Sequence, residues 1–513
     1  MMSHPEWVLK YKKKGTEIKR NGEMYYLCEV SSKWDPQKKR AKKISGKYLG
    51  RITEKDGFIP AKRTWKKGVR DKNTVEKTVQ GEGNTLEIKD LDQGRVSFNI
   101  SVKEMGASKV LLEGLGKNIS SSLREIFPKL SNEIMVIAIL RTLYQCPMKN
   151  IERFYQDSHL SNVFPGLALS GKNISLLMQK LGRCREKIVR FMQKFVQGEE
   201  HIIFDSTDIT TQSKKLGINA LGRTHSDGGF GTKVNQIYVF SVDRKTPIYY
   251  RVLPGNIMDV SSLKLTIKEM HLKKAVIVAD KGFLSKANIE TIREVGADFI
   301  APLKRGHADI DYAPLLTNDP HKMDGYFLFK KKVIWHYSYT TKDNLKIFVF
   351  LDEKLKAEEK NDYLMRMHQG LETYTKENFD KRYLRFGTLA IASEAKTDLT
   401  AQKIYESYKE RMLVEDVFDT FKNLLDADRT YAQSEAALES WMFFNHIALI
   451  FIYDLYRRLK DADLLGTHSP LDVLDMLKQI RTIKMNEKWI ASEIPGKHQK
   501  LIKKLRIDFE QKT

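Results

Sequence analysis

Cysteine is scarce: Cys28, Cys146 and Cys184 are the three in 513 residues, and they stand too far apart for a disulfide framework or a zinc pattern. The opening stretch, MMSHPEWVLK, has no apolar signal region. Long uninterrupted apolar runs are missing as well. The most hydrophobic stretch, Trp441 to Tyr456, is broken by Asn445, His446 and Asp454, so it reads as a buried helix and not as a membrane span. There is no Walker loop, GxSxG elbow, HExxH or CxxC, no internal repeat and no low-complexity tract. These absences argue against a disulfide-stapled secreted domain, a P-loop enzyme and a zincin. A reducing cytoplasm is the expected compartment.

What the chain has is length, apolar material and positive charge. At 513 residues it exceeds one hydrophobic core, so two to four domains are expected, and 41% hydrophobic with 30% charged residues describes a globular protein. Lys and Arg outnumber Asp and Glu 88 to 65, a net charge of +23. Residues 1–80 hold 22 Lys/Arg against 9 Asp/Glu, so 22 − 9 = +13 of that excess sits in the first sixth of the chain. Such lopsidedness favours a polyanion partner, nucleic acid first, over a merely solubilising surface.

The patterning divides the chain. Residues 1–104 alternate in short β-like runs (Met24–Val30, Lys43–Ile52) between the basic clusters KKKG, KKRAKK and KRTWKK. Residues 105–200 carry Leu and Ile at helical spacing through Val110–Leu115, Ile134–Leu143, Ile174–Leu181 and Ile188–Phe195. From 201 to 310 come three strands (HIIFDSTDITT, VNQIYVFSVD, PIYYRVLPG), then alternating helix and strand, which predicts a mixed α/β sheet. Gly222–Gly231 reads as a hairpin loop between the first two strands. Residues 311–395 hold further β-like runs (YFLFKK, VIWHYSYTT, KIFVFLD, LAIAS) and look like a β-rich insertion. In 396–460 a long helix is predicted over 401–426 and another over 435–460, and 461–513 is a basic helical tail.

Three segments carry candidate chemistry. Asp205, in IIFDSTDI, follows three large apolar residues on a strand, where neutral side chains are the rule. Asp208, three positions on, should point to the opposite face. A strand-end aspartate capping a turn is the bland alternative. Asp280 repeats the arrangement at the end of AVIVAD, and the carboxyl ends of strands are where sites form in open α/β sheets.

The third segment is helical. At about 100° per residue, Tyr408, Arg411, Glu415 and Lys422 fall at about 0°, 300°, 340° and 320°, one stripe of a helix. Val414, Val417, Phe418, Phe421, Leu424 and Leu425 form the buried side beside it. Asp419 is a rival acid, and an ordinary amphipathic helix with a charged flank shows the same pattern. Two or three carboxylates converging in a basic protein suit paired divalent cations, which stabilise the attacking and leaving oxygens of phosphoryl transfer.

These residues resemble the bacterial insertion-sequence DDE transposases of the insertion-sequence-four superfamily. Their signature, Tyr-x2-Arg-x3-Glu-x6-Lys, stands here in full as Tyr408, Arg411, Glu415 and Lys422, with Asp205 and Asp280 upstream. LPGNIMD (Leu253–Asp259), ADKGFLSKANI and FIAPLK also look like family segments. The resemblance covers roughly residues 105–460. It implies a ribonuclease H-like core, 201–310 and 396–460, interrupted by the insertion. It implies Asp205, Asp280 and Glu415 as catalytic metal ligands for two Mg²⁺ or Mn²⁺ ions, with Tyr408, Arg411 and Lys422 holding DNA phosphates. Trp335, in the insertion, would stack on a flipped base, as aromatic residues do in hairpin-forming relatives. The implied partners are double-stranded DNA, as element ends and target, and a second copy of the chain in a homodimer. A ribonuclease H-like nuclease that does not rejoin DNA, and a non-catalytic regulator derived from a transposase, are the other classes.

Overall fold

The computed structural model describes residues 5–21, 24–35, 40–53, 57–60, 100–213, 215–223, 230–256, 259–280, 285–316, 322–394, 398–485 and 487–507. The chain divides into two compact units, Met1–Gln80 and Gly81–Thr513. In the first, strands β1 (Thr16–Asn21), β2 (Met24–Asp35), β3 (Arg40–Thr53) and β4 (Gly57–Pro60) form an antiparallel meander. Val8, Ile18, Tyr25, Leu27 and Ile52 make its small core. The basic cluster KRTWKK, at 62–67, lies outside the described residues.

The second unit opens with strand β5 (Ser101–Glu104) and a helical layer that includes α1 (Ser131–Tyr144), α2 (Gly171–Gly182) and α3 (Arg185–Gln193). The central sheet follows. Its first strands are β6 (His201–Thr211), β7 (Ala220–Arg223), β8 (Phe230–Ser241) and β9 (Thr246–Pro254). β8 runs antiparallel to β6, and β7 and β9 both pair with β8; residues 224–229, in the expected hairpin loop, lie outside the described residues. After helix α4 (Asp259–Met270), strand β10 (Val276–Ala279) returns parallel to β6. Helix α5 (Lys286–Glu294) then carries the chain to β11 (Asp298–Pro302), parallel to β10. A parallel return needs such a crossover, because a tight turn can only reverse the chain. The order β9-β8-β6-β10-β11 is therefore a mixed sheet with β6 at its centre.

The expected insertion is not a separate β-layer. Strands β12 (Gly325–Phe329), β13 (Lys332–Thr340), β14 (Leu345–Asp352) and β15 (Thr388–Glu394) extend the same sheet, with β15 antiparallel to β11. It also holds a helix unforeseen in the sequence, α6 (Glu353–His368). The predicted helix over 401–426 is another correction. It is split into α7 (Ala401–Lys409), α8 (Met412–Asp419) and a π-turn over Thr420–Leu424. Strand β16 (Arg429–Thr430) then pairs parallel to the far end of β6.

Helix α9 (Glu435–Asp461) is the hub of the core. By length and composition it could cross a membrane, yet 83% of its most apolar window is buried inside the protein. Tyr238 on β8 meets His446 at 5.8 Å between ring centres, and Phe240 meets Tyr453 at 5.3 Å. On its other flank α9 meets α2 so closely that a Cβ on Gly182 would stand 1.8 Å from the Ala436 carbonyl oxygen. Only glycine permits that backbone approach. Buried Arg141 on α1 donates to Asn445 Oδ1 at 2.9 and 3.1 Å, to the Cys146 carbonyl at 2.8 Å and to the Leu425 carbonyl. It thus ties the end of the 401–425 segment to the helical layer.

The C-terminal tail is helical over Pro470–Leu477 and Gly496–Lys504, but between these helices it differs from the expectation. Strands β17 (Arg481–Met485) and β18 (Lys488–Ala491) close a three-stranded sheet on β5. Residues 101–104 therefore belong with the end of the chain, and not with the basic N-terminal region.

Candidate acidic site

Two aspartates reach the site because β10 ends beside the middle of β6, with which it runs parallel. Ala279 is the register partner of Phe204, so Asp280 and Asp205 follow it on neighbouring strands. Asp205 is largely buried, with 17% of its side chain exposed. The Ser206 N–H donates to its Oδ1 at 2.9 Å. Arg411 supplies the third element: its Nη1 donates to Asp205 Oδ2 at 3.3 Å and its Nη2 to Glu415 Oε1 at 3.1 Å. One guanidinium fork thereby spans a strand and a helix.

Local backbone explains how Arg411 and Glu415 get there. At the junction of α7 and α8, N–H groups bond three residues back: Arg411 to Tyr408, Leu413 to Glu410 and Val414 to Arg411. These tight turns overwind the chain before Glu415, whereas the π-turn underwinds it afterwards. Tyr408, Arg411 and Glu415 stay together although the helix is not continuous, and Val414, Val417, Phe418, Phe421 and Leu425 are buried as expected, with Leu424 half-buried.

Electrostatics binds the group together. The Asp205 carboxyl is pushed up from about 3.8 to about 6, first by burial and then by the charges of Asp280 and Glu415; the Ser206 N–H and Arg411 oppose the rise. Burial also raises the Tyr408 phenol, which bonds to Arg411 and feels Asp280 and Glu415. Burial opposes the charge on Arg411, yet Asp205, Asp280, Tyr408 and Glu415 outweigh it and hold the guanidinium protonated. Five residues from three separate segments thus form one interacting cluster.

Lys422 is placed elsewhere than on this stripe. Its ammonium lies 3.5 Å from Asp208 Oδ1, and Lys233 lies 3.5 Å from Asp208 Oδ2. All three side chains are 16% exposed or less, so the group is a buried triad. Strand alternation predicts Asp208 facing away from the helical segment, but the long Lys422 side chain reaches it from the π-turn. The rival acid Asp419 is exposed and accepts from Asn423 Nδ2 at 2.5 Å, away from Asp205. Trp335, on β13, has three strands between it and β10 and packs on Tyr326 at 5.2 Å and on the apolar cluster around Ile347 and Val349.

Among the described residues no three His, Cys, Asp or Glu side chains already stand in metal-ligand geometry. The donor chemistry nonetheless fits a hard divalent cation: carboxylates from three segments, one of them kept from ionising until about pH 6. A carboxyl raised in the folded state stabilises the fold fully below about pH 4. That contribution is lost as pH climbs to about 6, once the folded state too must ionise it. The melting temperature of wild type relative to Asp205→Asn should therefore fall between pH 4 and 6, and Mg²⁺ or Mn²⁺ should restore it at pH 7. Parallel curves with and without cation would contradict this reading.

Residues 196–451 match a family described as transposase DDE domain. Among solved structures the chain is similar to a piggyBac transposase synaptic complex with hairpin DNA, at 10% identity and TM-score 0.37, covering 72% of this chain and 78% of that one. It is also similar to the Drosophila P element transposase strand transfer complex, at 12% identity and TM-score 0.19, covering 66% and 72%. No curated protein matches the chain in sequence.

Proposed function

We propose, from the match of residues 196–451 to a transposase DDE domain, that the chain cuts the inverted-repeat ends of an insertion sequence and joins the 3′ hydroxyls to target DNA. The observation that carries this reading is the convergence of Asp205, Asp280 and Glu415 on Arg411 and Tyr408. The central strand order, three antiparallel strands followed by two parallel to the first, supports a ribonuclease H-like core. The spacing of Tyr408, Arg411, Glu415 and Lys422 supports the insertion-sequence-four type.

In this reading Asp205, Asp280 and Glu415 would hold Mg²⁺ or Mn²⁺, two ions per site. When bound, the cations would activate the attacking water or 3′ hydroxyl and stabilise the leaving oxygen. Arg411 and Tyr408 would turn to the phosphate at the cut, positioning it without reading sequence. Arg411 is suited to this because its fork donates two bonds to a phosphate as readily as to carboxylates. Lys422, anchored on Asp208, would present positive charge beside the same strand.

The basic N-terminal region would recognise the element's ends, within a homodimer on DNA in the cytoplasm alongside the nucleoid. Its +13 charge over residues 1–80 motivates a test. If half a dozen phosphates are neutralised, end binding should weaken on the order of a thousandfold between about 50 and 200 mM salt. A chain lacking residues 1–80 should lose footprints on the ends; full footprints from it would refute the assignment. The reading as a whole is tested by incubating the protein with DNA flanking its coding region and Mg²⁺. Cuts at inverted repeats there are expected, and a lack of any metal-dependent cut would overturn it.

A further inference from the structure

A second charged site lies at the other end of β6. The turn between β8 and β9 (Asp243, Arg244, Lys245), the end of α9 and the segment 504–506 enclose a cavity of about 660 Å³. Its lining holds seven Lys or Arg side chains and three Asp, a balance of 7 − 3 = +4. Two of the acids are already engaged. Asp454 pairs with Arg457 and Arg458, and Asp243 accepts from the His201 backbone N–H at 2.7 Å and lies 3.3 Å from its ring. Arg244 is held on Glu200 at 2.8 Å. Among the described residues, Lys245, Lys460, Lys504 and Arg506 form no ion pair.

Lys245 and Lys460 line the same cavity, and each ammonium feels the other's charge. Two ammonium groups hold such an arrangement only at a cost, and an anion between them removes it. The Lys245 ammonium is lowered accordingly, first by burial and then by Lys460, with Glu410 and Asp461 opposing. The backbone adds a second observation. Lys245 and Arg506 occupy left-handed positions, at φ 49° and 50°, which glycine or asparagine fills at lower cost.

We propose that this cavity binds phosphates of the DNA backbone, gripping a stretch of the same DNA whose cut lies at the acidic site. This rests on the reading of the chain as a DNA-cutting enzyme. The cavity's turn is level with His201, whose carbonyl accepts from the Val242 N–H. Four residues separate His201 from Asp205, or roughly 13 Å along a strand. Phosphates of one strand repeat about every 3.4 Å along the duplex axis. A duplex whose axis follows β6 would thus meet the lysines about four nucleotides from the carboxylates. Glu410, whose charge acts on Lys245, adjoins Arg411 in sequence.

The test uses the full chain and its Lys245→Gln/Lys460→Gln variant with a mixed-sequence duplex, across about 50 to 200 mM salt. Each phosphate contact adds about 0.9 to the slope of log affinity against log salt, so the variant's slope should be shallower by about two. Its melting temperature should be equal or higher, because like charges have been removed. Lys245→Arg/Lys460→Arg should restore the slope. Equal slopes for variant and wild type, with wild type still binding and cutting DNA, would overturn the DNA site alone. Equal slopes together with melting raised by inorganic phosphate only in wild type would assign the cavity to free phosphate, and overturn it too. A wild type that fails to bind duplex at all would instead overturn the underlying reading.

Discussion

Asp205→Asn is expected to lower metal-dependent DNA cleavage by several orders of magnitude while the protein stays folded and bound to DNA. The substitution keeps the side chain's shape and its bond from the Ser206 N–H. It removes the charge that, with Asp280 and Glu415, would hold the cations. It also relieves the burden of a carboxylate that burial pushes up to about 6, so stability at neutral pH should not fall. Asp280→Asn and Glu415→Gln should do the same. Because the three would act as one unit, a double variant should be scarcely slower than either single one. Single-turnover cleavage rates measure this. Asp419→Asn is the matching control, since Asp419 is exposed beside Asn423 and away from the cluster. Additive losses, or a loss confined to Asp419→Asn, would identify different carboxylates.

Asp208→Asn should be costly for another reason. Its carboxylate is 3% exposed and answers both Lys422 and Lys233 at 3.5 Å. Asparagine removes the buried carboxylate charge that Lys422 and Lys233 share, and breaking a buried pair from one side costs about 3 kcal/mol or more. The expected result is a lowered denaturation midpoint, together with weaker cleavage because Lys422 loses its anchor in the π-turn. Lys422→Met removes one of the two cations and so should destabilise less. Strand periodicity alone would make Asp208 an innocuous position; a midpoint equal to wild type would show that it is.

Much of the site can be read along the chain because its signals are local. An acid directly after IIF lies within one apolar strand and another after AVIVA marks the end of the next, and both strands run the same way. The four signature residues come within one stretch of fifteen. What escapes such reading depends on distant partners. Nothing near Asp208 announces that Lys422 will reach it, since the π-turn is a response to packing. The strands at 325–394 look like an insertion, because only three-dimensional pairing of β15 with β11 reveals one continuous sheet. The tail reads as helical, although its strands find a partner in β5 at the opposite end of the second unit. Helix α6 was hidden for a simpler reason. Its one buried residue is Tyr363, so it has no apolar stripe to betray a helical period.

The most direct test of the central claim is joining, not cutting. A duplex already ending in the proposed element's 3′ hydroxyl would be mixed with plasmid, Mg²⁺ and either wild-type protein or Asp205→Asn. Wild type should yield covalently joined product and the variant essentially none, although both bind the duplex. Joined product at comparable rates from both proteins, or cutting by wild type with no joining, would contradict a DDE strand-transfer site built on Asp205, Asp280 and Glu415.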